Sequence, residues 1–270
     1  MNRQLLALGA SFHFDTELAA NLTPFEAFAS WMIKETGAPG FVSWYLNYDN
    51  GKRSPPARPL NLPALIRRIR TGKTRVVAVQ SALKADDDDR VIFCVDTFDS
   101  SRRGYRQTKA RFHAYAAFGP HPLHALEPER VIDRLVAFAD AIDVGTGAVY
   151  WAATARYAGL LASGGGDYQL SREQNRHSND LHGNQHRWPD IIRGPAWGTF
   201  LSAQHVQMMG GLERITRESG AARVVALPTS GGAFVQATPV DEPIVEDHDD
   251  GAVLARLASF FAPVLAAGPA

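Results

Sequence analysis

The stretch Val91-Ile92-Phe93-Cys94-Val95 is apolar at every position, and it decides the fold. A short run of this kind, rich in β-branched side chains and followed by Asp96, makes a strand covered on both faces. Such a strand belongs in the middle of a sheet. The residues around 75–82 before it and around 110–118 after it also read as strands, so three sheet members follow one another in sequence.

Further upstream, Asn61 is placed to cap a short helix whose Leu62, Leu65, Ile66 and Ile69 face inward and whose outer side carries Arg67, Arg68 and Arg70. Ser54-Pro55-Pro56-Ala57-Arg58-Pro59 precedes it as an extended connector, because proline holds itself and its predecessor out of helix. Val42, Trp44, Leu46 and Tyr48 alternate with smaller or more polar residues, the spacing of a strand, and Asp49-Asn50-Gly51 closes it with a turn. Thr23-Pro24 with Glu26 is a capping-box start, after which Phe25, Phe28, Ala29 and Met32 share one helical face until Gly37 and Pro39 end it.

Downstream, Pro128 opens a helix with Val131, Leu135, Phe138 and Ile142 on one face. Tyr150-Trp151-Ala152 fits a strand or a short helix equally well. Gly145-Thr146-Gly147 and Gly164-Gly165-Gly166 read as turns, and the polar stretch from Leu161 to Pro189 as a long surface loop. Ala203 to Met209 is helical up to Gly210-Gly211. Residues 223–227 and 232–238, joined by Pro228-Thr229-Ser230-Gly231, form a hairpin. A last helix starts near Ala252, turns Val253, Leu257, Phe260 and Phe261 inward, and ends near Pro263. Helices and strands in mixed order with hairpin signals give an α+β fold: a mixed, largely antiparallel sheet flanked by amphipathic helices. We read residues 1–270 as one domain, with two loosely similar halves (about 1–120 and 121–270) left open.

At 270 residues and 45% hydrophobic, the chain has enough apolar surface for a core without staples. Its 28 basic and 28 acidic residues balance, so no net charge draws it to nucleic acid or to a membrane. A single cysteine, Cys94, excludes an internal disulfide and fits a reducing compartment. Met1 to Ala10 turns polar too soon for a secretory signal, and no segment approaches the roughly 18 apolar residues of a membrane span. The expectation is a cytoplasmic protein.

Catalytic signatures fail one by one. No Gly-x-Ser-x-Gly elbow and no Cys-x-x-Cys occurs, and Cys94 lies inside the apolar strand, where a thiol is a packing group. The triple glycine lacks the Lys-Ser or Lys-Thr of a phosphate loop. His177, His182 and His186, beside Asp180, could ligate zinc or nickel, but they sit in a stretch without a helix signal that would fix the rings on one face. A metal-dependent enzyme using that loop is one alternative reading, and a nucleic-acid-binding protein using the chain's basic stretches is another; the main one has no metal, no cofactor and no catalysis.

Charge is segregated along the chain. Asp86-Asp87-Asp88-Asp89 lies between two strands, and Asp241, Glu242, Glu246, Asp247, Asp249 and Asp250 follow the hairpin with no Lys or Arg among them. Neither run has the interleaved glycine and closing glutamate of a calcium loop. The plain explanation is solvated turns; the sharper one is a negative surface that docks a basic partner. Lys52, Arg53, Arg58, Arg67, Arg68, Arg70, Lys73 and Arg75 form one basic stretch, and Arg102, Arg103, Arg106, Lys109 and Arg111 another. They could hold phosphates, but no nucleic-acid module surrounds them, which disfavours a nucleic-acid partner.

Phe41-Val42-Ser43-Trp44-Tyr45-Leu46, leading through the proline-rich connector into the helix at 61–71, resembles bacterial toxin-immunity proteins of type VI secretion and polymorphic toxin systems, the immunity protein 52 type in particular. Gly194-Pro195-Ala196-Trp197-Gly198-Thr199-Phe200-Leu201, then Met209-Gly210-Gly211-Leu212-Glu213 and Gly231-Gly232-Ala233-Phe234-Val235-Gln236-Ala237-Thr238-Pro239, follow in the same order. The resemblance implies a cytoplasmic protein that binds a cognate toxin, often a nuclease, and covers its active surface. It implies no membrane partner and leaves a homo-oligomer open. Because it consists of core and turn positions, Trp44 and Trp197 are expected to pack rather than to touch a partner. The His- and Asn-rich insert at 171–188 departs from the pattern and is a secondary contact candidate. The acidic residues 86–89 and 241–250 are the expected contact surface.

Overall fold

The computed structural model describes residues 6–15, 22–36, 41–45, 58–59, 61–71, 76–80, 89, 91–96, 112–163, 192, 194–245 and 251–265. They form one ten-stranded sheet with helices packed against it, the α+β architecture expected. Its strands are β1 (Ala7–Phe14), β2 (Phe41–Tyr45), β3 (Arg58–Pro59), β4 (Val76–Gln80), β5 (Val91–Asp96), β6 (Phe112–Phe118), β7 (Val144–Ala152), β8 (Gly198–Leu201), β9 (Arg223–Leu227) and β10 (Gly232–Gln236). They lie in the order β3-β2-β4-β5-β6-β1-β7-β8-β10-β9. Every neighbouring pair is antiparallel. Two isolated bridges, Trp151 with Val245 and Ile192 with Leu265, are parallel.

The helices are α1 (Thr23–Thr36), α2 (Leu62–Arg70), α3 (Pro120–Ala125), α4 (Pro128–Ala141), α5 (Ala155–Ser163), α6 (Ala203–Met208), α7 (Leu212–Glu218) and α8 (Gly251–Phe261). Asn61 caps α2 as its sequence promises, its Oδ1 accepting from the Ala64 N–H at 3.0 Å. The apolar faces read for α1, α2 and α4 are the buried ones: Phe25, Phe28, Ala29 and Met32; Leu65, Ile66 and Ile69; Val131, Leu135 and Phe138. In α8, Leu257 and Phe261 are buried while Val253 and Phe260 are half-buried.

Two apolar clusters follow from the alternation of the strands. On β1, Leu8, Ala10, Phe12 and Phe14 enter the larger one, which α1, α2 and α4 cover. Phe12 is at its centre, with ring centroids 5.1 Å from Phe138 and 5.3 Å from Phe200. Ala7 on the other face joins Ala148, Tyr150 and Ala152 beneath Ala155, Ala158 and Leu161 of α5. Cys94 is buried within β5, the inert position its surroundings imply.

Several expectations need correction. Gly145-Thr146-Gly147 is not a turn but part of the first half of β7, which also settles Tyr150-Trp151-Ala152 as strand. Glycine serves there because a Cβ on Gly147 would stand 2.3 Å from the Ser11 carbonyl oxygen and 3.1 Å from the Phe200 ring. Residues 161–163, read as the start of a loop, complete α5. The strand β1, the short strand β8 and the short helices α3 and α7 carry no element in the sequence reading. The turn at Asp49–Gly51, the triple glycine at 164–166 and the insert at 171–188 lie outside the described residues.

Side chains far apart in sequence fix the hairpin of β9 and β10. Asp140 at the end of α4 accepts the backbone N–H groups of Thr229 (2.9 Å) and Ser230 (3.0 Å), so its carboxylate caps the turn. Arg223 at the start of β9 bonds Asp133 at 2.8 Å. Ser202 and His205 form a reciprocal capping box on α6: the Ser202 hydroxyl accepts the His205 N–H, and His205 Nδ1 accepts the Ser202 N–H. That bond requires the ring proton to sit on Nε2.

On α7, Arg214 and Arg217 both reach Glu218, at 2.8 and 2.7 Å. The Arg214 hydrogen bond first, and that of Arg217 next, lower the Glu218 carboxyl below its ordinary value of 4.5. A lowered carboxylate pKa favours the folded state above the unfolded value, and that contribution disappears as pH falls through the folded one. The Glu218 midpoint, followed by NMR, is expected below 4.5 in the native chain and higher after Arg214→Ala. Because the pair is exposed, added salt should shrink the difference.

Candidate functional site

The register of the sheet determines where the acidic segments meet the fold. Val91, at the head of β5, pairs with Phe118 of β6, and Phe118 pairs with Leu8 of β1. Leu8 pairs with Trp151 of β7, and Trp151 bridges to Val245. One row of partners therefore runs across the sheet from Val91, two positions after Asp89, to Val245, three positions after Glu242. The row spans four strand spacings, about 19 Å. Val91 and Val245, which border clusters some 150 positions apart in sequence, thus lie at the same end of the sheet.

Of the ten acidic candidates, Asp89, Asp241 and Glu242 are described, and all three are exposed. Asp86, Asp87, Asp88, Glu246, Asp247, Asp249 and Asp250 lie outside the described residues. Asp89 is bonded to His121 Nδ1 of α3 at 2.9 Å, with both side chains more than half exposed. A surface pair of this kind contributes little to stability.

Asp241 and Glu242 stand on a well-tied turn. Trp197 Nε1 donates to the Thr238 hydroxyl at 3.0 Å, and that hydroxyl donates onward to the Glu242 carbonyl. Gln236 Nε2 donates to the Thr238 carbonyl at 2.8 Å, and the Glu242 N–H donates to that of Pro239 at 3.1 Å. Beneath the turn, Trp197 and Trp151 pack edge to face with centroids 5.5 Å apart. Trp197 is fully buried, which makes it the packing residue expected; Trp44 lies in β2 opposite Val77. No motif in the sequence announces this Trp197–Thr238–Glu242 linkage, since its members come together only through the pairing of β8 with β10.

The strand residues that border the second basic stretch are at the other end of the sheet. Asp96 and Phe112, the strand residues flanking Arg102–Arg111, lie at the opposite edge of the same register, next to the pair His13 and His113. Arg67, Arg68 and Arg70 occupy the last turn of α2, where cations complement the helix dipole. That placement gives them a structural role without any phosphate. His177, His182 and His186 lie outside the described residues; among those described, no three His, Cys, Asp or Glu side chains gather as a metal site requires. Among them, too, no helix is long and apolar enough to cross a membrane.

What remains is a pre-formed, rigidly mounted end of the sheet with exposed carboxylates. Such an end can attract and orient a cationic surface. No protein-family model matches the chain, and no curated protein matches it in sequence. Among solved structures the chain is similar to Pseudomonas aeruginosa T6SS protein PA0821, with a TM-score of 0.58 and 12% identity over 96% of this chain and 73% of that one. At that identity the likeness is one of fold.

Proposed function

We propose that this chain is an immunity protein of a type VI secretion or related polymorphic toxin system, acting in the cytoplasm of the toxin's producer. It binds the cognate toxin stoichiometrically through the acidic end of its sheet and covers the toxin's active surface, without catalysis or cofactor. The observation that carries this reading is that residues bordering both acidic segments share one register row, Val91–Phe118–Leu8–Trp151–Val245. The fold shared with a type VI secretion protein supports the same setting. A nuclease toxin, whose groove is basic to hold phosphates, is the partner such a surface suits best. Carboxylates held on a tied turn would occupy that groove in place of nucleic acid and speed the encounter.

The test uses the toxin domain encoded beside this gene and a charge-reversed variant carrying Asp89→Lys, Asp241→Lys and Glu242→Lys. All three side chains are exposed, so circular dichroism and melting should be unchanged. The dissociation constant should rise roughly tenfold or more, mostly through slower association, with a weaker salt dependence. Equal affinity for both proteins would remove the acidic end from the interface. Failure of the native chain to bind the neighbouring toxin would remove the function itself.

A further inference from the structure

The two edges of the sheet are built differently. β3 ends it with two residues, one of them Pro59, which has no N–H to offer: a blunted edge. β9 ends the other side with five residues, Arg223-Val224-Val225-Ala226-Leu227, and has no proline, no lysine and no bulge. Its charged residue, Arg223, is engaged with Asp133.

The direction of its backbone groups follows from the ladder. The Ala237 N–H donates to the Trp197 carbonyl at 2.8 Å, so the odd positions of β10 turn their backbone toward β8. Gly232, Phe234 and Gln236 then turn theirs toward β9, where Leu227, Val225 and Arg223 are their partners in register. Val224 and Ala226 are left with N–H and C=O directed away from the sheet. Ala226 is exposed and Val224 half-exposed, and among the described residues neither backbone has a partner on that side.

We propose that β9 pairs with β9 of a second copy of this chain, antiparallel about a two-fold axis at Val225, joining two sheets into one. The strand is self-complementary in this register. Val224 exchanges both backbone hydrogen bonds with Ala226 of the second copy, and Ala226 does so with its Val224, giving four bonds. The two Val225 side chains meet across the axis, and Arg223 falls opposite Leu227, so no like charges face each other. A second copy is the occupant that this register and charge pattern fit without any further residue. A five-residue strand pair buries less than the roughly 1,600 Å² of a standard interface, so the dimer is expected to dissociate in the micromolar range. The inference is independent of the toxin reading, because Asp241 and Glu242 stand on the turn after β10 and Asp89 is bonded to α3, none of them on the β9 edge.

Sedimentation velocity over a concentration series tests it, with three variants. Val224→Pro removes one outward N–H and no bond to β10, and Ala226→Lys places a charge on the edge. Each should weaken self-association at least tenfold while the melting curve stays native. Val225→Cys should cross-link between chains on mild oxidation, since residues at a non-hydrogen-bonded pair lie about 4.5 Å apart at Cα, within disulfide reach. Cys94 is buried and gives no background. A native chain that stays monomeric throughout its soluble range overturns the proposal. So does self-association that Ala226→Lys leaves unchanged, or loss of toxin binding by the edge variants from a monomeric parent, which would assign β9 to a strand of the toxin.

Discussion

Phe12→Ala is expected to lower the unfolding free energy by about 3–5 kcal/mol, and the melting temperature by on the order of 10 °C. Phe12 is fully buried on the strand at the centre of the sheet. Its ring touches Phe138 of α4 edge-on and Phe200 of β8 at a tilt, so one side chain joins a helix and the strands of both halves. Phe138 in turn meets Phe28 of α1 and Phe93 of β5, at 5.1 and 5.3 Å. Truncation opens a cavity that this cage of large rings is poorly placed to fill, which puts the cost at the upper end for an aromatic deletion. Phe12→Leu, keeping most of the volume, should cost about 1–2 kcal/mol. Urea unfolding of the three proteins measures both differences; a Phe12→Ala loss below that of Phe12→Leu would contradict the packing described.

Gly9→Val is expected to cost about 3 kcal/mol or more, by overpacking rather than by a void. A Cβ at Gly9 would stand 2.3 Å from the Ala158 carbonyl oxygen and 2.8 Å from its carbon, and both are backbone atoms of α5. Neither can rotate away, so the helix has to lift off β1 and take Ala155, Ala158 and Leu161 out of the smaller cluster. Amide exchange should locate the damage, with α5 losing protection before the β1–β6 ladder does. Gly159→Ala is the matched control. Its added carbon meets only the Ala117 Cβ at 3.6 Å, an ordinary contact, and alanine is the better helix former. It should be neutral or mildly stabilising.

The elements visible in the sequence are those whose signals are local. Thr23-Pro24 marks the start of α1 to within one residue, although Leu22 rather than Thr23 holds the cap position, its carbonyl accepting the Glu26 N–H, and Pro228–Gly231 joins two strands that pair with each other. β7 was obscured by Gly145 and Gly147, which argue for a turn until Ser11 and Phe200 are seen to fill the space a side chain would need. α5, five of its nine residues alanine, glycine or serine, carries little of a polar–apolar pattern, because close approach to Gly9 asks for small residues and not for a stripe of large ones. β1 does alternate, with Leu8, Phe12 and Phe14 against Gly9, Ser11 and His13, but alanine at 10 weakens the contrast. The candidate surface was legible as composition and not as a place. Acidic clusters near 86–89 and 241–250 can be counted in the sequence, whereas their common end depends on the register of β5, β6, β1 and β7 taken together.

The position of β1 bears on how the chain is made. It leaves the ribosome before any other described strand, yet both of its neighbours come far later: β6 closes with Phe118 and β7 with Ala152. Its apolar face, Leu8, Ala10, Phe12 and Phe14, must wait through the synthesis of four other strands before one edge is satisfied. The second edge waits longer still. Pairings this distant in sequence fold slowly and leave strand edges open meanwhile. The nascent first half is therefore expected to be the aggregation-prone species, and a chaperone that holds extended apolar segments should raise the yield of native protein more than any change to the finished surface.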